Sequence, residues 1–285
     1  MVELVRHELG FWELSPKPTP EELKRLYTTH YFDSQNFEVR YDDEERFQKY
    51  HPYREAEFVS NRTKGRVLDI GCGEGFSLDW FHSRGWDAFG LDFSRDGIKR
   101  HFPNLAERVT PGDLFRSMEL LMEQGQQFDL VITNNVLEHV LDPIAFLKQT
   151  QSLLAPGGLC RMQVPNDDSP LHRVLNEKKL APERFWIVAH EHMSYFNAES
   201  LSATMRHCGF QAIELLGDFP IDLFLLNPDS NYVFDRTKGK HCHRTRIAFE
   251  NMLVRQGVDQ LVAFRRGCGQ SGVGRNIIAY GRKGD

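Results

Sequence analysis

Cysteine is scarce in this chain. Cys72, Cys160, Cys208, Cys242 and Cys268 are the five among 285 residues, odd in number and without a C-x-x-C pair. That excludes a disulfide framework and a zinc–cysteine site, and it implies a reduced, cytoplasmic protein. Long apolar runs are missing too: the Ile221 to Leu226 stretch falls far short of the roughly 20 residues a bilayer requires. Met1 to Gly10 alternates charged with apolar residues, unlike the apolar block of a signal peptide. Nor is there an excess of positive charge, since 35 Lys and Arg stand against 40 Asp and Glu for a net −5. A dedicated nucleic-acid binder, which relies on many phosphate contacts, is disfavoured on that balance. There is no internal repeat and no low-complexity tract. What remains is a globular chain, long enough for one large domain or for a core with appendages.

What is present is a short apolar strand that spills into a glycine loop. Val67, Leu68 and Ile70 suit a buried parallel strand, with Asp69 among them, and Gly71, Gly73 and Gly75 follow as G-x-G-x-G. Residues without Cβ let the backbone turn tightly and let a ligand reach the main chain. A helix opening at Phe76 turns its first N–H groups toward whatever lies over the loop. A second strand, residues 88–91, ends in Asp92 about twenty residues on, where a carboxylate can hold two ribose hydroxyls. The spacing departs from the G-x-G-x-x-G of dinucleotide enzymes. The site calls for a nucleoside-like ligand.

This combination resembles the class I S-adenosylmethionine-dependent methyltransferases, and the resemblance continues in order over residues 62–165. Pro111-Gly112-Asp113-Leu114 is similar to that family's segment after strand three, residues 128–140 to its fourth strand and following turn, and residues 153–159 to its turn into strand five. The resemblance implies an α/β fold, a Rossmann-like seven-stranded sheet, with S-adenosylmethionine as donor and S-adenosylhomocysteine as product. Asp69, Gly71, Cys72, Gly73, Gly75 and Phe76 would cradle the methionine half. Asp92 and Phe93 would lie at the ribose, Asp113 and Leu114 at the adenine, and Asn134 and Asn135 after strand four near the transferring methyl.

The alternation of patterns predicts strands near 66–70, 87–91, 107–110, 128–133, 159–164, 211–216 and 276–281, and helices near 75–84, 94–101, 114–124, 142–154, 198–209 and 246–256. Asn197 is the expected cap of the helix ending at Gly209. Residues 1–60 read as a helical, aromatic-rich cap, with Tyr27, His30, Tyr31, Phe32, Phe37, Tyr41, Phe47, Tyr50 and Tyr53 either packing a lid or lining a substrate pocket. Residues 61–285 form the core, with insertions at about 166–198 and 217–275. The second of these carries either acceptor specificity or the contacts of a homodimer.

Methyl transfer to a hydroxyl or carbon acid needs a general base; transfer to an amine or carboxylate does not. The strongest candidates lie in Ala189-His190-Glu191-His192-Met193-Ser194-Tyr195-Phe196, with His192 as base and Glu191 fixing its tautomer or acting beside it. This octet resembles the H-E-H-x-S-Y-F signature of deoxysugar C-methyltransferases, which implies a nucleotide-linked or otherwise activated sugar as acceptor, in surface-glycan or secondary-metabolite synthesis. Ala189 stands where that family has a tyrosine, and its amino-terminal zinc cluster is absent, which favours O- over C-methylation. His139, four residues after Asn135, is a second base or a brace for the next helix. The alternative acceptor is another small molecule, a quinone or antibiotic precursor, and the alternative to catalysis is a scaffold that binds the donor alone.

His241-Cys242-His243 offers one H-x-H without a nearby carboxylate, insufficient for a metal site. With Arg236, Lys238, Lys240, Arg244 and Arg246 it forms a basic strip, either diphosphate-binding or a solvated face. Arg265, Arg266 and Arg275, among glycines, are a second phosphate-capable group. No membrane partner is expected.

Overall fold

In the computed structural model, residues 3–19, 21–22, 40–188 and 191–284 are described. The chain opens with a hairpin, β1 (Glu3–Arg6) and β2 (Trp12–Ser15), then helices Asp43–Lys49 and His51–Ser60. The alternating core follows: β3 (Arg66–Ile70), helix Phe76–Ser83, β4 (Asp87–Asp92), helix Asp96–His101, β5 (Val109–Pro111), helix Leu114–Glu123, β6 (Phe128–Asn134), helix Pro143–Ser152 and β7 (Leu154–Pro165). Helix Pro170–Glu177 and the short β8 (Ser194–Tyr195) lie in the first insertion. Helix Ala198–His207, β9 (Gln211–Gly217), helices Gly239–Gln256 and Val258–Ser271, and β10 (Asn276–Arg282) complete the chain.

Seven strands form one sheet in the order β5-β4-β3-β6-β7-β10-β9. β10 runs antiparallel to both its neighbours, while β3 pairs in parallel with β4 and β6, and β6 with β7. The order reverses between β4 and β6 around β3. In open α/β sheets, ligands bind at the carboxyl edge of such a switch point. Leu68 and Ile70 enter one buried cluster with Val131, and Val67 enters the other with Leu130 and Ile132, as the two-residue period of a strand covered on both faces requires. Fold class and the seven-stranded sheet match the α/β reading of the sequence.

Two small satellite cores shape the edge. Leu14, Trp186, Met193 and Tyr195 pack together where β8 adds to β2 in a separate three-stranded sheet, with Trp12 opposite Tyr195. Leu171, Leu175, Ala181 and Leu225 join the two insertions. Asn197 caps its helix as expected, accepting from Ser200 N–H at 2.9 Å.

Several expectations differ from what is observed. Residues 3–15 form a hairpin rather than part of a helical cap, because Leu4, Trp12 and Leu14 are used by a strand about 180 residues away. The helix expected at 246–256 begins at Gly239 and absorbs most of the basic strip. Tyr27, His30, Tyr31, Phe32, Phe37, Ala189 and His190 lie outside the described residues. Among the described residues no helix is long and apolar enough to cross a membrane.

Candidate active site

The glycine loop leaves β3 through a run of left-handed residues, with φ of 79° at Gly71, 50° at Gly73 and 82° at Gly75. A Cβ on Gly71 would come within 2.5 Å of Val136 Cγ2, so the loop is pressed against the turn that follows β6. A Cβ on Gly73 would meet nothing within 4 Å. The same loop is therefore closed toward the protein and open where a ligand would approach.

Two acids shape this loop. Gly73 N–H donates to Asp92 Oδ2 at 2.8 Å, and Ser94 N–H donates to Asp92 Oδ1 at 3.3 Å. Asp69 is 3% exposed; Ser77 Oγ–H donates to its Oδ2, while its buried Oδ1 has no partner among the described residues. Burial, partly offset by Ser77 and reinforced by Asp92, pushes the Asp69 carboxyl up to about 7. Cys72 and Phe76 turn inward. A Cβ on Gly90 would strike Cys72 Sγ, and the Phe76 ring packs on Tyr50 and Phe102, so each can offer only its main chain to a ligand. Phe93 is 40% exposed beside Asp92. Asp113 Oδ1 accepts from Arg116 N–H at 2.9 Å as a helix cap, and Leu114 packs half-buried on the core.

Across from the loop, the turn after β6 carries Glu138 and His139. His139 Nδ1 bonds the main-chain oxygen of Glu191 at 2.8 Å, which places its proton on Nδ1. His139 Nε2 lies 3.8 Å from Glu138 Oε1, and the His192 ring stands edge-on to His139 with centroids 4.8 Å apart. The ligand atoms of Glu138, His139 and His192 all fall within 4.8 Å of one another, close enough to share one cation. Met193 N–H donates to Glu138 O at 2.6 Å and so joins the turn to the second segment.

Burial sets the protonation of all three. It lowers His192 to about 4, helped by His139 and Arg275, and it lowers His139 against the pull of the Glu191 carbonyl. It raises Glu138, whose two carboxylate oxygens have no hydrogen-bond partner among the described residues, to about 8. Near neutral pH the group is therefore two neutral imidazoles beside a protonated acid.

A family model described as a methyltransferase domain matches residues 43–215. The chain belongs to this methyltransferase family. Among curated relatives, a ubiquinone biosynthesis O-methyltransferase of Ruegeria pomeroyi is 28% identical over 170 residues, covering 58% of this chain and 65% of that protein. One of Parvibaculum lavamentivorans is 39% identical over 95 residues, covering 33% of this chain and 38% of that protein. The chain thus spans less than two thirds of the length of either. Among solved structures, the Burkholderia thailandensis 1,6-didemethyltoxoflavin-N1-methyltransferase, bound to 1,6-didemethyltoxoflavin and S-adenosylhomocysteine, superimposes with a TM-score of 0.54 at 16% identity, covering 100% of this chain and 99% of that one. This likeness concerns the fold.

The methyltransferase is of the class I, S-adenosylmethionine-dependent kind, and its residues fit that donor. The unpaired, buried Asp69 Oδ1 suits an ammonium group, the open face of Gly73 suits close main-chain approach, and Asp92 keeps lone pairs for vicinal hydroxyls.

Other expected site residues lie elsewhere. The Glu191 side chain is exposed; its main-chain carbonyl orients a histidine, and that histidine is His139 rather than His192. Asn134 Oδ1 accepts from Arg161 and Asn135 Oδ1 from Gln163, so both amides are held by β7. The phosphate-capable arginines are dispersed. Arg265 is buried against Glu55 and Glu250, Arg266 pairs with Glu214, and Arg275 Nε lies 3.7 Å from Asp222 Oδ2. His241 and His243 are exposed on the helix from Gly239, with Cys242 buried between them. Glu138, the sequence neighbour of His139, and Asp167, in a polar stretch of the first insertion, are site candidates that the sequence does not single out.

Proposed function

We propose that this methyltransferase moves the methyl of S-adenosylmethionine to a hydroxyl of a small-molecule acceptor. The observation that carries the reading is the neutral His139–His192 pair beside Glu138, on a turn in contact with the glycine loop through Val136 and Gly71. An amine acceptor needs no such base; a hydroxyl does. The two curated relatives described above are O-methyltransferases of ubiquinone biosynthesis. They favour the quinone-precursor class of acceptor over the activated sugar suggested by residues 190–196.

In this reading the donor supplies an electrophilic methyl, and the chain positions and deprotonates. Asp69 receives the methionine ammonium, Asp92 the ribose hydroxyls, and Asp113 the adenine amino group, with Phe93 and Leu114 beside them. His192 takes the acceptor proton, its buried Nδ1 having no partner among the described residues. His139, locked by the Glu191 carbonyl, holds that ring in place edge-on. Positioning of the reactants supplies much of the remaining acceleration, on the order of 7–11 kcal/mol for well-oriented groups.

The test is turnover of hydroxylated aromatic acceptors and of nucleotide sugars, with products read by mass spectrometry. His192→Ala is expected to lower kcat about 10²–10⁴-fold while S-adenosylhomocysteine affinity holds. Methylation at nitrogen, or turnover unaffected by the substitution, would remove the hydroxyl reading.

A further inference from the structure

Beyond the histidine pair, a second group of buried polar atoms lacks partners. Asp167 is 2% exposed, and among the described residues its carboxylate oxygens have no well-formed hydrogen bond, although the Phe196 main chain lies near them. Among the described residues the Ser194 hydroxyl and Arg275 Nη1 are buried without a partner, and the buried Tyr195 hydroxyl has the Val188 main chain within reach but no well-formed hydrogen bond. Buried polar groups are almost always satisfied, so a cluster left open in this way needs a reason.

The backbone brings these groups together from three segments. Asp167 N–H donates to Phe196 O at 2.7 Å, next to Tyr195, and Asn166 N–H donates to Arg275 O at 3.0 Å. The Asn166 side-chain amide donates to the carbonyls of Gly272 and Gly274, each at 2.9 Å, which fixes the approach of Arg275. The Asp167 charge is felt at Tyr195 and at Glu138, and the Arg275 charge at His192, so this group adjoins the base. Asp222, occupied by His172 Nε2 at 2.9 Å and by the Tyr232 hydroxyl, steadies Arg275 from 3.7 Å. Arg275 and Asp167 sense each other's charge but make no ion pair.

The composition of the group selects its ligand. Arg275 only donates, while the Asp167 carboxyl, which burial raises to about 8, and the Tyr195 hydroxyl can each donate or accept. An ammonium would face the guanidinium. A hydroxyl, which both donates and accepts, satisfies both sides. We propose that Asp167, Tyr195 and Arg275 form an acceptor subsite that anchors a second hydroxyl, not the one methylated. This rests on the reading of the protein as a hydroxyl methyltransferase, and it makes the acceptor a polyhydroxylated molecule. An aromatic ring or a sugar ring could carry that hydroxyl pair.

Calorimetry on the S-adenosylhomocysteine-bound protein tests this with two matched pairs, 1,2-dihydroxybenzene against phenol and methyl glucoside against its 2-deoxy counterpart. One pair is expected to show about 10–100-fold tighter binding of the member with the extra hydroxyl, and the pair that responds identifies the ring. Asp167→Leu should abolish that preference with cofactor affinity intact. Asp167→Asn should keep part of it, since an amide also donates and accepts. If Asp167→Leu does not bind S-adenosylhomocysteine, Tyr195→Phe carries the same comparison. An unchanged preference in these variants, or no preference in the wild type, overturns the subsite; ordered water would then account for the open atoms. Turnover without preference leaves methyl transfer standing and removes the subsite. Preference without turnover keeps the subsite and removes the reaction.

Discussion

At the scale of single residues, the site is a set of carboxyls kept protonated by burial. Asp69 is the plainest case, with a folded value near 7 against an ordinary 3.8. A raised carboxyl holds its proton in the folded chain after the unfolded chain has released it. Its contribution to the stability of the donor-free protein is thus fully present below about pH 4 and lost as pH rises through about 7. An ammonium brought to Asp69 Oδ1 reverses the balance and drives the proton off. Binding of S-adenosylhomocysteine at pH 7 is therefore expected to release about half a proton from this carboxyl. Titration calorimetry in buffers of different ionisation enthalpy measures that release, and Asp69→Asn should abolish it. Proton release that survives the substitution would mean that the ammonium is held elsewhere.

At the scale of elements, a buried ion network joins the sheet to its flanking helices. Glu55, on helix His51–Ser60, accepts from Arg161 Nε of β7 at 3.1 Å, from Tyr280 Oη of β10 at 2.7 Å and from Arg265 Nη1 at 2.7 Å. Arg265 also donates to Glu250 at 2.7 Å. Burial alone would raise Glu55, but Arg265 and Arg161 outweigh it and hold the carboxyl below the ordinary range. Glu55→Gln leaves two buried guanidiniums without their shared counter-charge, and should cost about 3–5 kcal/mol in urea unfolding of the donor-free protein. A loss well below 1 kcal/mol would mean that water enters the network. Arg161 also reaches Asn134, so the substitution tests whether the network's order extends to the active-site edge.

The same elements explain what was readable in advance. The glycine-loop side of the candidate site was legible because it is local: Asp69, three glycines and Asp92 sit on two consecutive strand ends, and each residue type has a conformational reason to be there. The opposite side was not. Glu138, Asp167, Tyr195 and Arg275 come from separate segments, and only backbone bonds such as Met193 to Glu138 and Asn166 to Arg275 bring them together. Arg275 sat among glycines that suggested a phosphate loop, while its actual neighbour is Asp222, from the opposite end of the insertion. Glu191 misled because its side chain carries the recognisable charge, whereas its carbonyl makes the contact.

At the scale of the whole molecule, donor and acceptor sides rest on different supports. The glycine loop hangs from the central sheet: Gly71 and Cys72 N–H both donate to Leu91 O. The segment bearing His192 and Tyr195 instead leans on the amino-terminal hairpin, through Leu14 N–H to Met193 O at 3.0 Å and the β2–β8 pairing. Phe11 adds a ring contact with Phe196 at 4.8 Å. Removal of residues 1–15 should therefore divide the two functions. S-adenosylhomocysteine affinity should be retained, while kcat falls about 10²-fold, the scale of loss expected when reacting groups shift by about 1 Å. Amide exchange at residues 191–196 should rise, with protection at 67–75 unchanged. If the truncated chain lost cofactor binding along with turnover, the hairpin would be part of the core rather than a brace for the acceptor side. If it kept full turnover, His192 would owe its position to the Glu138–Met193 bond alone.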